Sequence, residues 1–518
     1  MPTAGFGGSA GGTSVRGSVG RLLIGSTFDT RHARTGAATT PRGVRRAVTG
    51  HARSRTVRDV QRSARGPTQR SNRRRRVATE ASLAPVPPNP SGAGRPVPEL
   101  DSALVERWRS EGGELVDLMA RARERLGGVA AFLLGPQRTV LVTDPQAIQH
   151  VLAQHPDRYV KRSHRARPLI GDGVLAATGE AWKRQRRLLQ SQFTGTGMRR
   201  YEQRIAGAAR TTAGRWAGYA RTGATLDVAE EMRRFALDTI WRSLTGHPLD
   251  AGTERELTAV GAVVAALPTL PADAADAHEA VAADLARIDA VARQAIEAAR
   301  HGAAGPDGPG LLHVLLDAAT TRSEYTDRLI RDELVTLLVA GHETTASTLT
   351  WLYLLLDRQP EAREQALACG VAGSPQRREA VQALVNETLR LYPSAWILPR
   401  HAAVDDRLGG YAIEAGTDVV VCPYLTHRTP ELWPDPERFD PRRFTTPGGR
   451  PTQPGAYLPF GIGPRACLGL QFALRESTVL LEHLLPAHTV TFQSVPAKAA
   501  YSITVRPDGP TPATLGAA

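Results

Sequence analysis

Phe460-Gly461-Ile462-Gly463-Pro464-Arg465-Ala466-Cys467-Leu468-Gly469 is the stretch on which the reading of this 518-residue chain turns. Its glycines allow a tight loop that brings backbone amides close to one cysteine. An apolar run with helical spacing, Leu468 to Leu485, follows directly. Amide donors and the positive end of that helix both favour a thiolate over a thiol. The other two cysteines, Cys369 and Cys422, have no comparable surroundings. Three scattered cysteines exclude a disulfide-built scaffold, an all-cysteine zinc site and a self-contained four-cysteine iron–sulfur cluster.

The net charge of +14 looks like a nucleic-acid signal until it is located. Residues 1–76 hold 17 arginines, no lysine and only the acids Asp29 and Asp59, whereas 77–518 carry 48 basic and 49 acidic residues. The arm is rich in Gly, Ser and Thr and poor in large apolar residues, so it cannot bury enough surface to offset its ordering entropy. Three readings of it stand: an arm for nucleic acid or anionic lipid, an organellar transit peptide, or upstream sequence translated from a misplaced start. The bias against lysine, which occurs only at 161, 183 and 498, favours the third, because arginine excess then reflects base composition. Residues 77–98 read as a Pro/Ala/Gly linker and 99–518 as one folded domain. No apolar run reaches the ~20 residues of a membrane span.

Along the body, Val129–Leu134 and Thr139–Thr143 around Gly135–Pro136 predict a β-hairpin. Asp144–Pro145 then opens a helix through Leu152. A mostly helical pattern fills 180–300. A long helix is expected over Asp327–Leu356, and another from Ser374–Pro375 to Leu391, stopped by Pro393. Short strands are expected near Val419–Val421, Val490–Phe492 and Ser502–Val505. The fold class is mainly α with a minor β-sheet region.

A buried, amide-supported thiolate is what a haem iron takes as a strongly donating axial ligand, and Arg465 is placed to meet an anionic propionate. At this point the resemblance is specific. The loop is similar to the haem-binding signature of the cytochrome P450 family, Phe-x-x-Gly-x-Arg-x-Cys-x-Gly, at every fixed position: Phe460, Gly463, Arg465, Cys467 and Gly469, with Gly461 inside it. Three further motifs fit the same family. Glu387 and Arg390, together with Arg438, resemble its buried Glu/Arg/Arg constellation, a structural rather than catalytic set. Ala340-Gly341-His342-Glu343-Thr344-Thr345 matches its oxygen-groove pattern, in which an acid and an alcohol, here Glu343 and Thr344, pass protons during dioxygen activation. His342 falls at the variable position and reads as a surface or core histidine. Trp182 and Arg186, four apart on one helix face, resemble a propionate-binding helix, and Arg400 fits a further propionate position.

The resemblance covers roughly 100–510. It implies the P450 fold, haem b (iron protoporphyrin IX) on Cys467, and a monooxygenase that inserts one oxygen atom of dioxygen into a hydrophobic small molecule by hydroxylation or epoxidation. With no flavin, nicotinamide or iron–sulfur motif in view, it implies a separate ferredoxin and an NAD(P)H-dependent ferredoxin reductase. Lys183, Arg184 and Arg187 are candidates for meeting an acidic donor. The pocket is expected at the loop 162–178, at Val339, Ala340 and Gly341, and at Trp396, Ile397 and Leu398. Lysine-poor style and the missing anchor suggest a bacterial, cytoplasmic enzyme of natural-product metabolism (terpenoid, polyketide or fatty-acyl), or an organellar one if 1–76 is a transit peptide. The rivals are a peroxide-using or isomerising haem-thiolate enzyme, against which the intact Glu343–Thr344 pair argues, and a P450 whose arginine arm adds nucleic-acid or lipid binding.

Overall fold

The computed structural model describes residues 94–517 apart from 135–136, 162, 164–165, 268–277 and 497. The arginine arm, the linker up to residue 93 and the Gly135–Pro136 turn lie outside the described residues. The linker expected to reach 98 is already part of the fold at its end: Arg95–Pro96 pairs in parallel with Tyr411–Ala412, and Val97 is buried.

A five-stranded sheet occupies one side, in the order Val129–Leu134, Gln137–Val142, Asp418–Val421, Leu398–Ala402, Tyr159–Val160. The first two strands are antiparallel with Val129 opposite Val142; Val140 then pairs in parallel with Val419. Strand alternation splits the sheet into two faces. Val140, Val142, Val419 and Val421 pack on one side with Ile148, Val151 and Leu152. Leu141, Val420, Ala130 and Phe132 pack on the other with Leu118, Met119 and Trp396.

The rest is helical and centred on one long helix, Asp327–Arg358. The Thr326 side chain caps it by accepting from Leu329 N–H, and Gln359–Pro360 ends it, as a following proline does. Its second half, Thr345 to Leu356, is buried on every side, so this is a core helix rather than an amphipathic one. Around it lie the helices Val228–Thr245, Ala251–Ala266, Ala282–Arg300, Pro375–Leu391 and Leu470–Leu484. Pro375–Leu391 starts as its sequence predicts, with Ser374 accepting from Arg377 N–H.

Two expectations shift. The helix opened by Asp144 is α-helical only to Gln149 and continues as a π-helical turn, His150–Gln154. The strand expected over Ser502–Val505 is instead a hairpin, with Ala499–Tyr501 paired to Val505–Pro507 and the segment between them as its turn. Serine and threonine bond local backbone readily, which favours a turn there over a ladder.

Candidate active site

The cysteine loop is wound as its glycines require. Cys467 N–H donates to Phe460 O at 2.8 Å, and Gly461 and Gly463 take φ of +66° and +75°. Gly463 is fixed by packing as well: a Cβ there would sit 2.1 Å from Leu152 O, in the π-helical turn. Gly469 has open space around it, and its backbone amide favours the charged form of the Cys467 sulfur. Burial pushes the Cys467 thiol up, while that amide, Arg186 and Lys161 pull it down. The cysteine nonetheless keeps accessible surface. A group that is both desolvated and accessible faces an interior cleft.

Four cations converge on that cleft from four separate segments. Arg465 stacks over the Trp182 ring at 4.1 Å and donates to Ala177 O at 2.8 Å. Burial, then Arg400 and Arg186, hold Arg465 down to about 10. Burial holds Arg400 to about 10 as well. Burial, then Arg400 and Arg465, press Lys161 to about 7. Arg186, one turn after Trp182, completes the set and is lowered by burial. Among the described residues no carboxylate pairs with any of the four. Half-buried like charges gathered around one cleft repel one another, and an anion that joins them relieves that. Trp182, Arg186, Arg400 and Arg465 thus come together as their sequence positions suggest. Lys161 was not singled out, although its rarity in a lysine-poor chain was a usable signal.

The long helix carries the acid and the alcohol. Thr344 Oγ1 donates back to Ala340 O at 2.7 Å, and its own carbonyl accepts Ser394 Oγ at 2.8 Å and Thr348 Oγ1 at 3.0 Å. Ala340 is exposed although Leu338 and His342 beside it are buried, which marks an internal opening at this turn. Val339 and Gly341 are partly open, and Gly341 packs against Ile240. Glu343 Oε1 points toward Gly261 of the neighbouring helix. His342 is a core histidine, which burial keeps neutral. The next residue, Thr345, donates to Glu476 Oε1 at 2.7 Å, tying this turn to the helix that follows Cys467. Glu476 is fully buried, and its carboxyl is pushed well above the usual range by that burial.

The Glu387 constellation differs from expectation in one member. Glu387 and Arg390 form a bidentate pair at 2.8 Å and 2.8 Å, with neither side chain exposed. Arg390 also donates to the carbonyls of His427, Pro436 and Arg438. The Arg438 side chain itself is exposed and takes no part; Arg443, five residues on, brings its Nε to 3.4 Å from Glu387 Oε1. The reason lies in the chain's path: Asp440 N–H caps the same Oε1 at 2.9 Å and starts the 3-10 turn that carries Arg443 inward. His427 bridges the set to the cysteine loop by pairing with Arg390 O and accepting from Leu458 N–H.

Trp396 also departs from its expected place. It has no accessible surface at all, so it lines no cavity; it packs beneath the sheet and donates to Ser502 O at 2.8 Å. Ile397 packs on the same cluster, whereas Leu398 turns to the opposite face near Gly461. The split falls where the strand begins, at Leu398.

A lone sulfur facing a cleft suits an iron that arrives with other ligands of its own, and among the described residues no His, Cys, Asp and Glu cluster could hold a bare ion. Four unpaired cations around the same cleft ask for a dianion. The residues therefore fit haem, and haem-thiolate protein is the class that fold and site define. Comparison with known proteins is in accord. The family model described as Cytochrome P450 matches residues 102–502. The chain is 30% identical to cyclooctat-9-en-7-ol 5-monooxygenase of Streptomyces melanosporofaciens, over 79% of this chain and 92% of that protein. It is equally 30% identical to cytochrome P450 97B1, chloroplastic, of Pisum sativum, over 68% and 78%. Among solved structures, the cytochrome P450DA haem domain superposes with a TM-score of 0.72 at 25% identity, covering 82% of this chain and 99% of that one. A cytochrome P450 from Thermus thermophillus, CYP175A1, gives 0.64 at 30% identity, over 81% and 100%. The chain belongs to the cytochrome P450 family, and with it to the haem-containing oxidoreductases that incorporate oxygen. Among the described residues no helix is long and apolar enough to cross a membrane.

Proposed function

We propose that the chain hydroxylates or epoxidises a hydrophobic terpenoid, with Cys467 as the iron ligand. The convergence of Lys161, Arg186, Arg400 and Arg465 on the cleft beside Cys467 carries this reading. Bound there, haem supplies the reductive activation of dioxygen, with the thiolate's donation promoting cleavage of the O–O bond. The protein's own residues do the rest. The four cations, with Trp182 stacked on Arg465, would hold the two propionates. Gly469 N–H steadies the sulfur's charge. Thr344, whose hydroxyl is parked on Ala340 O, and Glu343 would hold and pass protons at the cleft. The small side chains at Val339–Gly341, and Leu398, leave room for an apolar substrate and keep bulk water away. Trp396 is no longer part of that pocket.

The substrate class rests on the name of one relative, cyclooctat-9-en-7-ol 5-monooxygenase. A polyketide or fatty-acyl natural product is the alternative. Electrons would come from a ferredoxin and its NAD(P)H-dependent reductase; Arg187, exposed on the Trp182 helix, lies on a basic face suited to an acidic donor. A cytoplasmic location fits a bacterial natural-product enzyme, and an organellar one fits the chloroplast relatives.

The test is the spectrum of the reduced, carbon-monoxide-bound protein. A thiolate-type band is expected, lost in Cys467→Ser; a histidine-type band in the parent protein overturns the ligand assignment. Spin-state titration with cyclic terpene alcohols against fatty acids and macrolactones then separates the substrate classes.

A further inference from the structure

Thr344 sits at a join in the long helix. Upstream its hydroxyl donates to Ala340 O at 2.7 Å; downstream its carbonyl accepts hydroxyls from two directions. One is Thr348, a turn along the same helix. The other is Ser394, just past Pro393, where the Glu387 helix has ended. The two hydroxyl oxygens are themselves 3.0 Å apart, and both residues are 4% exposed. Ser394 is not free to drift. Its carbonyl accepts from Val505 N–H at 3.2 Å, and Val505 O accepts from Ser347 Oγ and from Trp351 Nε1, both on the long helix. The bonds close a ring from Thr344 through Ser394 and Val505 back to the long helix.

A helix carbonyl that accepts a hydroxyl from outside the helix tilts away from the axis, and the ladder bends there. The Thr344 peptide is therefore oriented by a group in another segment, and the direction of its side chain follows the peptide. We propose that Ser394 is a positioning residue for Thr344, setting the aim of the proton-handling hydroxyl through the carbonyl of the same residue. The inference rests on the reading of Thr344 as that hydroxyl. Buried hydroxyls form their hydrogen bonds wherever they can, but this one meets the backbone of the residue the chemistry needs.

The experiment compares the parent protein with Ser394→Ala, Ser394→Thr and Thr344→Ala, each loaded with haem and driven by ferredoxin and its NADPH-dependent reductase, with styrene as probe. Two quantities are read: the share of NADPH electrons recovered as hydrogen peroxide, and amide hydrogen exchange across 340–348. Ser394→Ala is expected to raise the peroxide share toward that of Thr344→Ala, and to speed exchange at this turn roughly five-fold, as the loss of one net hydrogen bond would. Ser394→Thr, which keeps a hydroxyl, should restore both. The reduced carbon-monoxide spectrum should be unchanged in all four, which separates mispositioning from loss of the haem site. Parent-like peroxide release in Ser394→Ala alongside a leaking Thr344→Ala overturns the proposal alone. A parent-like Thr344→Ala overturns the reading of Thr344 and the proposal with it. If Ser394→Ala folds too poorly to load haem, Ser394→Cys, close in size but a weak donor, takes its place under the same criteria.

Discussion

At the scale of single residues, the arginine beside Glu387 shows how side-chain roles depend on chain path. Pro436-Glu437-Arg438-Phe439 carries a tempting arginine, but only its carbonyl enters the network, as an acceptor for Arg390. Arg443 supplies the charge. The two arginines therefore predict opposite outcomes. Arg443→Ala removes the second cation beside a fully buried Glu387 that Arg390 still neutralises, and should cost ~1–3 kcal/mol. Arg438→Ala keeps its backbone contact and should stay within ~0.5 kcal/mol. Urea unfolding of the two variants checks this. Equal losses would return Arg438 to the network.

At the scale of elements, what was legible tracks how local the determinant is. The Pro375–Leu391 helix could be read because cap, proline and stop lie within its own sequence, and the cysteine loop because its glycines answer to local backbone demands. Trp396 could not be placed, since a two-residue period decides which face a side chain takes and its strand begins only at Leu398. Lys161, Arg443 and Glu476 were missed because each is defined by a partner more than 50 residues away. The same holds for the first half of the long helix, which grips the loop before the Trp182 helix. Asp332 accepts from Asp172 N–H at 2.9 Å, Glu333 accepts from Val174 N–H at 3.0 Å, and Arg331 donates to Leu169 O. Gly171 belongs to this grip, since at φ +53° a Cβ would lie 2.1 Å from the Asp332 carboxylate. Burial, with a smaller push from Asp332, drives the Glu333 carboxyl up to about 8 against the pull of the Val174 amide. A raised acid is neutral in the fold over a range where the unfolded chain has already lost its proton. Its contribution to stability is thus full below the ordinary glutamate range and is lost as pH rises to about 8. Glu333→Gln keeps an acceptor for Val174 and removes the titration. From about pH 5 to about pH 9 the parent protein should lose on the order of 3 kcal/mol more than this variant. Parallel pH–stability curves would show that Glu333 ionises normally.

At the scale of the molecule, the cationic collar is where sheet and helices meet. Arg400 comes from the five-stranded sheet, Lys161 from the end of its edge strand, Arg186 from a helix and Arg465 from the cysteine loop. Each is desolvated, and Lys161 and Arg465 are pressed further by their cationic neighbours. The chain's net charge of +14 is silent about this, because the site's charge is local and the total belongs to the arm at 1–76. Such a junction gathers like charge that an anion would neutralise, so haem would bind here as a counter-ion as well as a metal complex. A ligand that binds only the folded state at a hundredfold excess over its dissociation constant stabilises by ~2.7 kcal/mol, and the apoprotein forgoes that. Two consequences separate repulsion from simple loss of packing. Added salt should raise the melting temperature of the apoprotein more than that of the haem-loaded protein, because salt screens unpaired charges. Arg400→Gln should stabilise the apoprotein, by relieving Arg465 and Lys161, while weakening retention of haem against transfer to an apoglobin acceptor. Melting curves of both forms at low and high salt provide the measurement. An apoprotein that responds to neither salt nor the Arg400 substitution would mean that the collar is not strained, and the case for a dianion drawn from it would fall.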